Sequence, residues 1–253
     1  MILCIECGNT CTKLGLFDKK DNLVKSFLMN TSRNLTSDEY AIRFKSLIGK
    51  EFEIDGVIIS SVVPKLTLIL KEAVKSAFNV EPKILNKKLK TKIAIKIDNP
   101  NELGTDFLCT AIGAIKLGYK PPFVIADFGT CTKISVIDQN GNFIGVFITA
   151  GIETNMLTLS KEADQLYEVE IALPSKIIGK NTKESIQSGL IYGQAFMVDE
   201  TVRRMEQEVG YPLCKILTGG HSKIIKSVVC GFHYENDLSL IGLNEIYRIN
   251  CKD

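Results

Sequence analysis

Two histidines in 253 residues, His221 and His233, leave little material for a histidine-based metal site or a catalytic triad. Cys4 and Cys7 have CxxC spacing, but no second pair stands at ligand spacing, and strand alternation would point the two to opposite faces. A structural zinc is therefore not expected, and most of the eight thiols fall in apolar runs where cysteine acts as a small hydrophobe. An excess of charge is also missing. Thirty-one Lys and Arg against 29 Asp and Glu give +2, which excludes a general nucleic-acid-binding surface and confines anion binding to local sites. No apolar run approaches the roughly 20 residues that span a bilayer, so no membrane partner is expected. The opening MILCIECGNT has no basic leader and meets a carboxylate at Glu6. It reads as a first strand and not as a secretory signal, and a cytoplasmic location is expected. Linkers and low-complexity segments are absent.

What is present is an ordinary globular composition, 45% hydrophobic and 24% charged, of a length that suits one or two domains. Its clearest internal feature is a repeat. Residues 5–18, IECGNTCTKLGLFD, align with residues 125–138, IADFGTCTKISVID, through one gap at Asn9. Glu6 pairs with Asp127, Gly8 with Gly129, Thr10 with Thr130, Cys11 with Cys131, Thr12 with Thr132, Lys13 with Lys133 and Asp18 with Asp138. Each copy predicts a strand, a Gly-Thr turn and a second strand. Glycine permits close backbone approach there, and free N–H groups with threonine hydroxyls can hold a phosphate oxygen. A carboxylate ending the first strand can hold a hydrated Mg²⁺. Two such hairpins about half a chain apart predict a duplicated α/β fold whose two domains, 1–117 and 118–253, face one nucleotide.

Between the hairpins, the periodicities predict strands over 23–29, 56–61 and 80–85, and helices over 38–48, 64–78 and 107–117. The basic segment 86–96, with Lys87, Lys88, Lys90, Lys92 and Lys96, reads as a solvated loop able to steer an anion. The second half predicts strands 123–127, 133–138, 143–149 and 215–218, a helix from Gly151 to about 163, and a closing helix over 240–248. Its longest helix, 182–209, has Asn181 as N-cap and Glu184 three residues on, as in a capping box. Ile191, Ala195, Val198, Val202, Met205 and Val209 form one apolar stripe, while Ser185, Gly189 and Gly193 form a row of small residues. Such a helix is either deeply buried or shared with a second subunit.

Further strings stand out beside the hairpins: Gly8-Asn9-Thr10, NPNELGTD ending at Asp106, DFGT at 127–130, IGKNT at 178–182, QSGLIYG at 187–193, Asp199 with Arg203 and Arg204, TGG at 218–220 and the terminal LIGLNEIY. Together they resemble the type III pantothenate kinase family, within the actin-like (ribonuclease H-like) superfamily of two mixed sheets flanked by helices with the nucleotide in the interdomain cleft. The resemblance implies transfer of the γ-phosphoryl of ATP to the primary hydroxyl of pantothenate, the first step toward coenzyme A, by a homodimer that uses Mg²⁺ and a monovalent cation, K⁺ or NH₄⁺. By the same resemblance, Asp106 is the general base. Gly8, Asn9, Thr10 and Thr12, and Gly129, Thr130 and Thr132, are the phosphate loops, and Gly219 and Gly220 receive the adenosine. Asp127 holds the monovalent cation and Glu6 the Mg²⁺. Gly104, Thr105, Phe107 and Ile97 line the acceptor site, and Thr182 reaches pantothenate across a dimer built on helix 182–209. Several positions depart from the family pattern. Phe107 stands for an Arg, Ile97 for a Tyr, Thr110 for an Asn, Lys133 for a Thr and Glu6 for an Asp, and residues 145–151 replace GGAIxPG. The departures on the acceptor side leave open a nucleotide-binding paralogue with a regulatory or partner-subunit role, or a kinase acting on a different small alcohol.

Overall fold

The computed structural model describes residues 1–86 and 88–251; Lys87 of the basic segment lies outside the described residues. The chain forms two compact units. Unit 1 holds residues 1–93, 99–118 and the chain from Asp237 onward, and unit 2 holds 94–98 and 119–236.

Unit 1 is built on β1 (Ile2–Cys7), β2 (Cys11–Phe17), β3 (Leu23–Asn30), β4 (Gly56–Ser61) and β5 (Lys83–Ile84), in sheet order β3-β2-β1-β4-β5. The first three strands form an antiparallel meander, and β4 and β5 add parallel to β1. Alternation along the strands sorts the two faces. Leu3, Ile5, Leu14, Leu16, Val57 and Ile59 are fully buried in one cluster with Tyr40 and Phe44 of α1 (Ser37–Ile48) and Leu66 and Leu70 of α2 (Pro64–Phe78). Pro64 opens α2 as the sequence predicts, since the first turn needs no N–H there. The N-cap of α1 is Thr36, which completes a reciprocal capping box with Glu39.

The opposite face is covered by α3 (Thr105–Lys116) and α7 (Leu238–Ile249). Leu240 sits against Gly15, and Tyr247 against Gly56. The two helices meet backbone to backbone: a Cβ on Gly113 would collide with the Leu238 carbonyl, and one on Gly242 with the Cys109 carbonyl. This close crossing corrects the division at 117/118. The last helix packs on α3 and β1, so the chain from Asp237 belongs with the first half. Residues 94–98 are displaced the other way, because Phe143 bonds this segment through its backbone, with Lys96 N donating to Phe143 O at 2.7 Å and Phe143 N donating to Ala94 O at 2.9 Å.

Unit 2 repeats the plan with β6 (Phe123–Phe128), β7 (Cys131–Ile137), β8 (Phe143–Ala150), β9 (Cys214–Thr218) and β10 (Phe232–Tyr234), in order β10-β9-β6-β7-β8. It carries α4 (Ile152–Glu162), α5 (Thr182–Val209) and the short α6 (Ser222–Ile225). The duplication extends beyond the aligned residues. Asp18 Oδ1 accepts from Lys20 N and Asn22 N, as Asp138 Oδ1 accepts from Asn140 N and Asn142 N. A register shift falls at the same place in both copies, Leu16/Phe17 and Val136/Ile137.

Helix α5 starts and stops where the sequence predicts. Asn181 Oδ1 accepts from Glu184 N at 2.9 Å, while the Glu184 carboxylate turns to Lys180 N and not to the cap's own amide, so the box is displaced by one residue. Ile191, Ala195, Val198 and Val202 are fully buried in the core of unit 2. The polar members of the 187–193 string pin the strap before α5. Gln187 Nε2 donates to Glu170 O, Ser188 Oγ to Ile177 O and Tyr192 OH to Pro174 O.

Candidate active site

In unit 1 the first turn is closed by Gly8 N donating to Cys11 O at 3.0 Å. Thr31 N bonds Thr10 O, and Thr31 Oγ1 donates to Gly8 O, so β3 braces the turn from behind. Thr12 is fully buried with its hydroxyl on that of Thr31 at 2.8 Å. In unit 2 Thr132 is equally buried and donates to Gln194 Oε1 at 2.8 Å. These two threonines were expected as phosphate ligands. Both instead face inward and hold the hairpins, leaving Asn9 and Thr10, and Thr130 and Cys131, exposed in the loops, with Gly8 and Gly129 partly exposed. Arg33, which carries no sequence signal of its own, reaches Asn9 Oδ1 at 3.1 Å and brings a cation to the first turn.

Glu6 and Asp106, a hundred residues apart, lie in one neighbourhood of unit 1. Glu6 is the register neighbour of Ser60 on β4. Ser60 Oγ bonds Thr105 Oγ1 at 2.8 Å and so ties the N-terminus of α3 to the end of the central strand. Asp106 occupies the first turn of α3, whose N-cap is Gly104. Asp106 is thus a helical residue and not the cap itself. Burial, then the negative charge of Glu6 and, more weakly, of Asp106, hold the Cys109 thiol well above its usual range, with Ser60 offsetting part of the effect. Phe107, expected to line the acceptor site, is 9% exposed. Ile97 and Thr182 belong to unit 2.

Glu6 Oε2 accepts from Ser239 Oγ of α7 at 2.5 Å, a partner contributed from the far end of the chain. Mg²⁺ in nucleotide sites needs one or two carboxylates, its remaining ligands being waters and phosphate oxygens, and a single carboxylate at Glu6 meets that requirement.

In unit 2 the second turn is buttressed by α4. Gly151 N donates to Thr130 O at 3.0 Å and Thr154 Oγ1 donates to the same oxygen at 2.7 Å. Gly151 has to be glycine, since a Cβ would collide with the Gly129 carbonyl. The Gly-Gly turn packs directly on this hairpin. Gly219, at φ +101°, has to be glycine, since a Cβ there would strike Asp127 Oδ1 and the Phe128 amide nitrogen. The other Asp127 oxygen, Oδ2, lies 2.9 Å from Lys133 Nζ, with both side chains largely shielded at 21% and 18% exposure. The monovalent cation expected at Asp127 does not fit this arrangement. A second unit charge about 4 Å from the ammonium would be repelled by about 4 kcal/mol at an effective dielectric constant near 20.

His221 follows the Gly-Gly turn, and its amide donates to Phe128 O at 3.0 Å. Its Nδ1 is buried without a hydrogen-bond partner among the described residues, and burial lowers its pKa despite the opposing charge of Glu153. With the folded value below the ordinary one near 6.5, the unfolded chain takes up the proton first as pH falls. Stability is therefore full above about pH 6.5 and declines as pH drops toward the folded value. His221→Asn is expected to flatten this decline in melting temperature between about pH 5 and 7.5. An unchanged slope would assign the decline to other groups.

A duplicated βββαβα plan with a Gly-Thr hairpin in each half defines an actin-like phosphotransferase or ATPase fold. Solved structures agree. Porphyromonas gingivalis acetate kinase is similar with TM-score 0.54 at 11% identity, covering 98% of this chain and 99% of that one. Component A of the Acidaminococcus fermentans (R)-2-hydroxyglutaryl-CoA dehydratase is similar with TM-score 0.52 at 13% identity, covering 98% of each. Within that fold the chain belongs to the type III pantothenate kinase family, whose sequence profile matches residues 2–204. A type III pantothenate kinase of Halalkalibacterium halodurans is 39% identical over 99% of this chain and 100% of its own length.

Proposed function

We propose that this protein phosphorylates pantothenate at the expense of ATP, giving 4′-phosphopantothenate and ADP, the first step of coenzyme A biosynthesis. The observation that carries the reading is Asp106, held in the first turn of α3 by the Thr105–Ser60 bond, in a chain 39% identical to a type III pantothenate kinase along its whole length. Asp106 takes the proton of the primary hydroxyl as its oxygen bonds to the γ-phosphorus and the bond from that phosphorus to the bridging oxygen breaks. In unit 1 the turn at Gly8, Asn9 and Thr10, with Arg33 beside it, is a phosphate-contacting element. In unit 2 Gly129 and Thr130 are another, and Gly219 and Gly220 present a flat backbone to adenosine. Mg²⁺, when bound, neutralises phosphate charge, and Glu6 is the residue that would hold it. Purified protein with ATP, Mg²⁺ and pantothenate should release ADP stoichiometrically with phosphopantothenate. ADP release that does not depend on pantothenate at millimolar concentration would overturn the reading.

The protein is further proposed to act in the cytoplasm as a homodimer paired through α5. Among the described residues no helix is long and apolar enough to cross a membrane. Gly189 and Gly193 are exposed with nothing within 4 Å of where a Cβ would stand, and Phe196 beside them is 49% exposed. A row of that kind suits close approach by a second helix. Thr182, at the start of α5, lines an open depression of about 600 Å³ with Leu166, Gly179, Lys180 and Gly189, where an acceptor contact belongs. Gly193→Trp should convert a dimer to monomer in analytical ultracentrifugation while leaving the far-ultraviolet dichroism unchanged. A dimer that survives this change would remove α5 from the interface.

A further inference from the structure

We propose that Lys133 is a tethered cation: its ammonium takes the place of a monovalent ion at Asp127, so that this protein needs neither K⁺ nor NH₄⁺. The inference rests on the kinase reading for its catalytic consequence and on geometry alone for the site. Lys133 is the direct cross-strand neighbour of Asp127 in the β6–β7 register, so its stem is aimed along the sheet face toward the carboxylate by the pleat itself. The ion pair closes at 2.9 Å. The other carboxylate oxygen lies beside the Gly219 and Gly129 backbone, where an added Cβ on either glycine would fall within 4 Å of it. An ammonium presents the charge of K⁺ and donates hydrogen bonds, as NH₄⁺ does, but it is delivered by the chain and cannot exchange.

The first hairpin supplies the contrast. There the equivalent acid, Glu6, is one methylene longer and its Oε2 goes to Ser239. The second hairpin thus holds its charge by a cross-strand lysine on the neighbouring strand, and the first engages its acid through a hydroxyl from α7.

Thallium(I), a K⁺ surrogate visible by ²⁰⁵Tl NMR, tests the site without turnover. The wild type should show no saturable Tl⁺ binding that Asp127→Asn removes, and its melting temperature should not change when K⁺ replaces tetramethylammonium at fixed ionic strength. Lys133→Thr should gain one Tl⁺ site and a K⁺-dependent rise in melting temperature. In the kinase assay the wild type should run equally in K⁺ and tetramethylammonium, and Lys133→Thr should lose about tenfold or more without K⁺ and recover with it, as expected when one charge near the phosphates is removed and restored. A wild-type Tl⁺ site abolished by Asp127→Asn would overturn the proposal, and so would a folded Lys133→Thr protein that gains none. Because Tl⁺ binding and melting need no acceptor, a protein inert toward pantothenate would defeat the kinase assignment and leave this site separately decided.

Discussion

Replacing Asp106 by Asn is expected to lower kcat for pantothenate phosphorylation by about two to four powers of ten, the usual contribution of a positioned general base. The substitution is close to isosteric, so α3 keeps its first turn, and the Thr105–Ser60 bond that anchors it does not involve the carboxylate. What is lost is the proton acceptor. Nucleotide affinity should be retained, since Asp106 is assigned to the acceptor hydroxyl. ADP release followed by a coupled assay, beside calorimetric titration with a non-hydrolysable ATP analogue, separates the two effects. A variant that keeps more than about a tenth of wild-type turnover would remove Asp106 from the role of base. Equal loss of nucleotide binding would mean that the residue supports the fold of the site and not the proton transfer.

The second large effect lies far from any phosphate. Gly242→Ala is expected to destabilise unit 1 by about 3 kcal/mol, although alanine favours a helix over glycine by about 1 kcal/mol. The added methyl group would strike the Cys109 carbonyl of α3, and backbone on both sides leaves no flexible side chain to give way. Helix α7 would be pushed off the face where Leu240 meets Gly15, Tyr247 meets Gly56 and Ser239 bonds Glu6. The same substitution at Gly145 of β8 is the control. Nothing stands within 4 Å of its Cβ position, so Gly145→Ala should be neutral or stabilising by up to about 1 kcal/mol. Denaturant unfolding of the two variants measures the difference. A Gly242→Ala protein within about 0.5 kcal/mol of wild type would show that the crossing can relax without cost.

These two predictions draw on different kinds of information. The NPNELGTD string marked Asp106 directly, whereas Gly242 sits in an apolar helix where nothing local distinguishes it from a packing residue. Elements set by short-range rules were legible: the helix opening at Pro64, Asn181 before α5, the apolar strands β1 and β6, and the strands on either side of residues 139–142. Each depends on a few neighbouring residues, through caps, fixed φ or strand period. The strand expected over 80–85 shrank to Lys83–Ile84, because an edge strand is set by the neighbour it finds and not by its own propensity.

Site residues divide in the same way. The sequence located both Gly-Thr turns, but placed Thr12 and Thr132 toward phosphate, when each points to the other face and spends its hydroxyl on Thr31 and Gln194. By itself, then, the sequence determined the repeat, most of the helices and strands, and the family to which the chain belongs. Only the tertiary structure decided that α7 completes unit 1, that Glu6 answers to Ser239, that Gly219 must lack a Cβ beside Asp127 and that Lys133 pairs with that carboxylate. Local periodicity encodes which residues turn inward, but the partner that each buried polar group meets is chosen by strands and helices arriving from elsewhere in the chain.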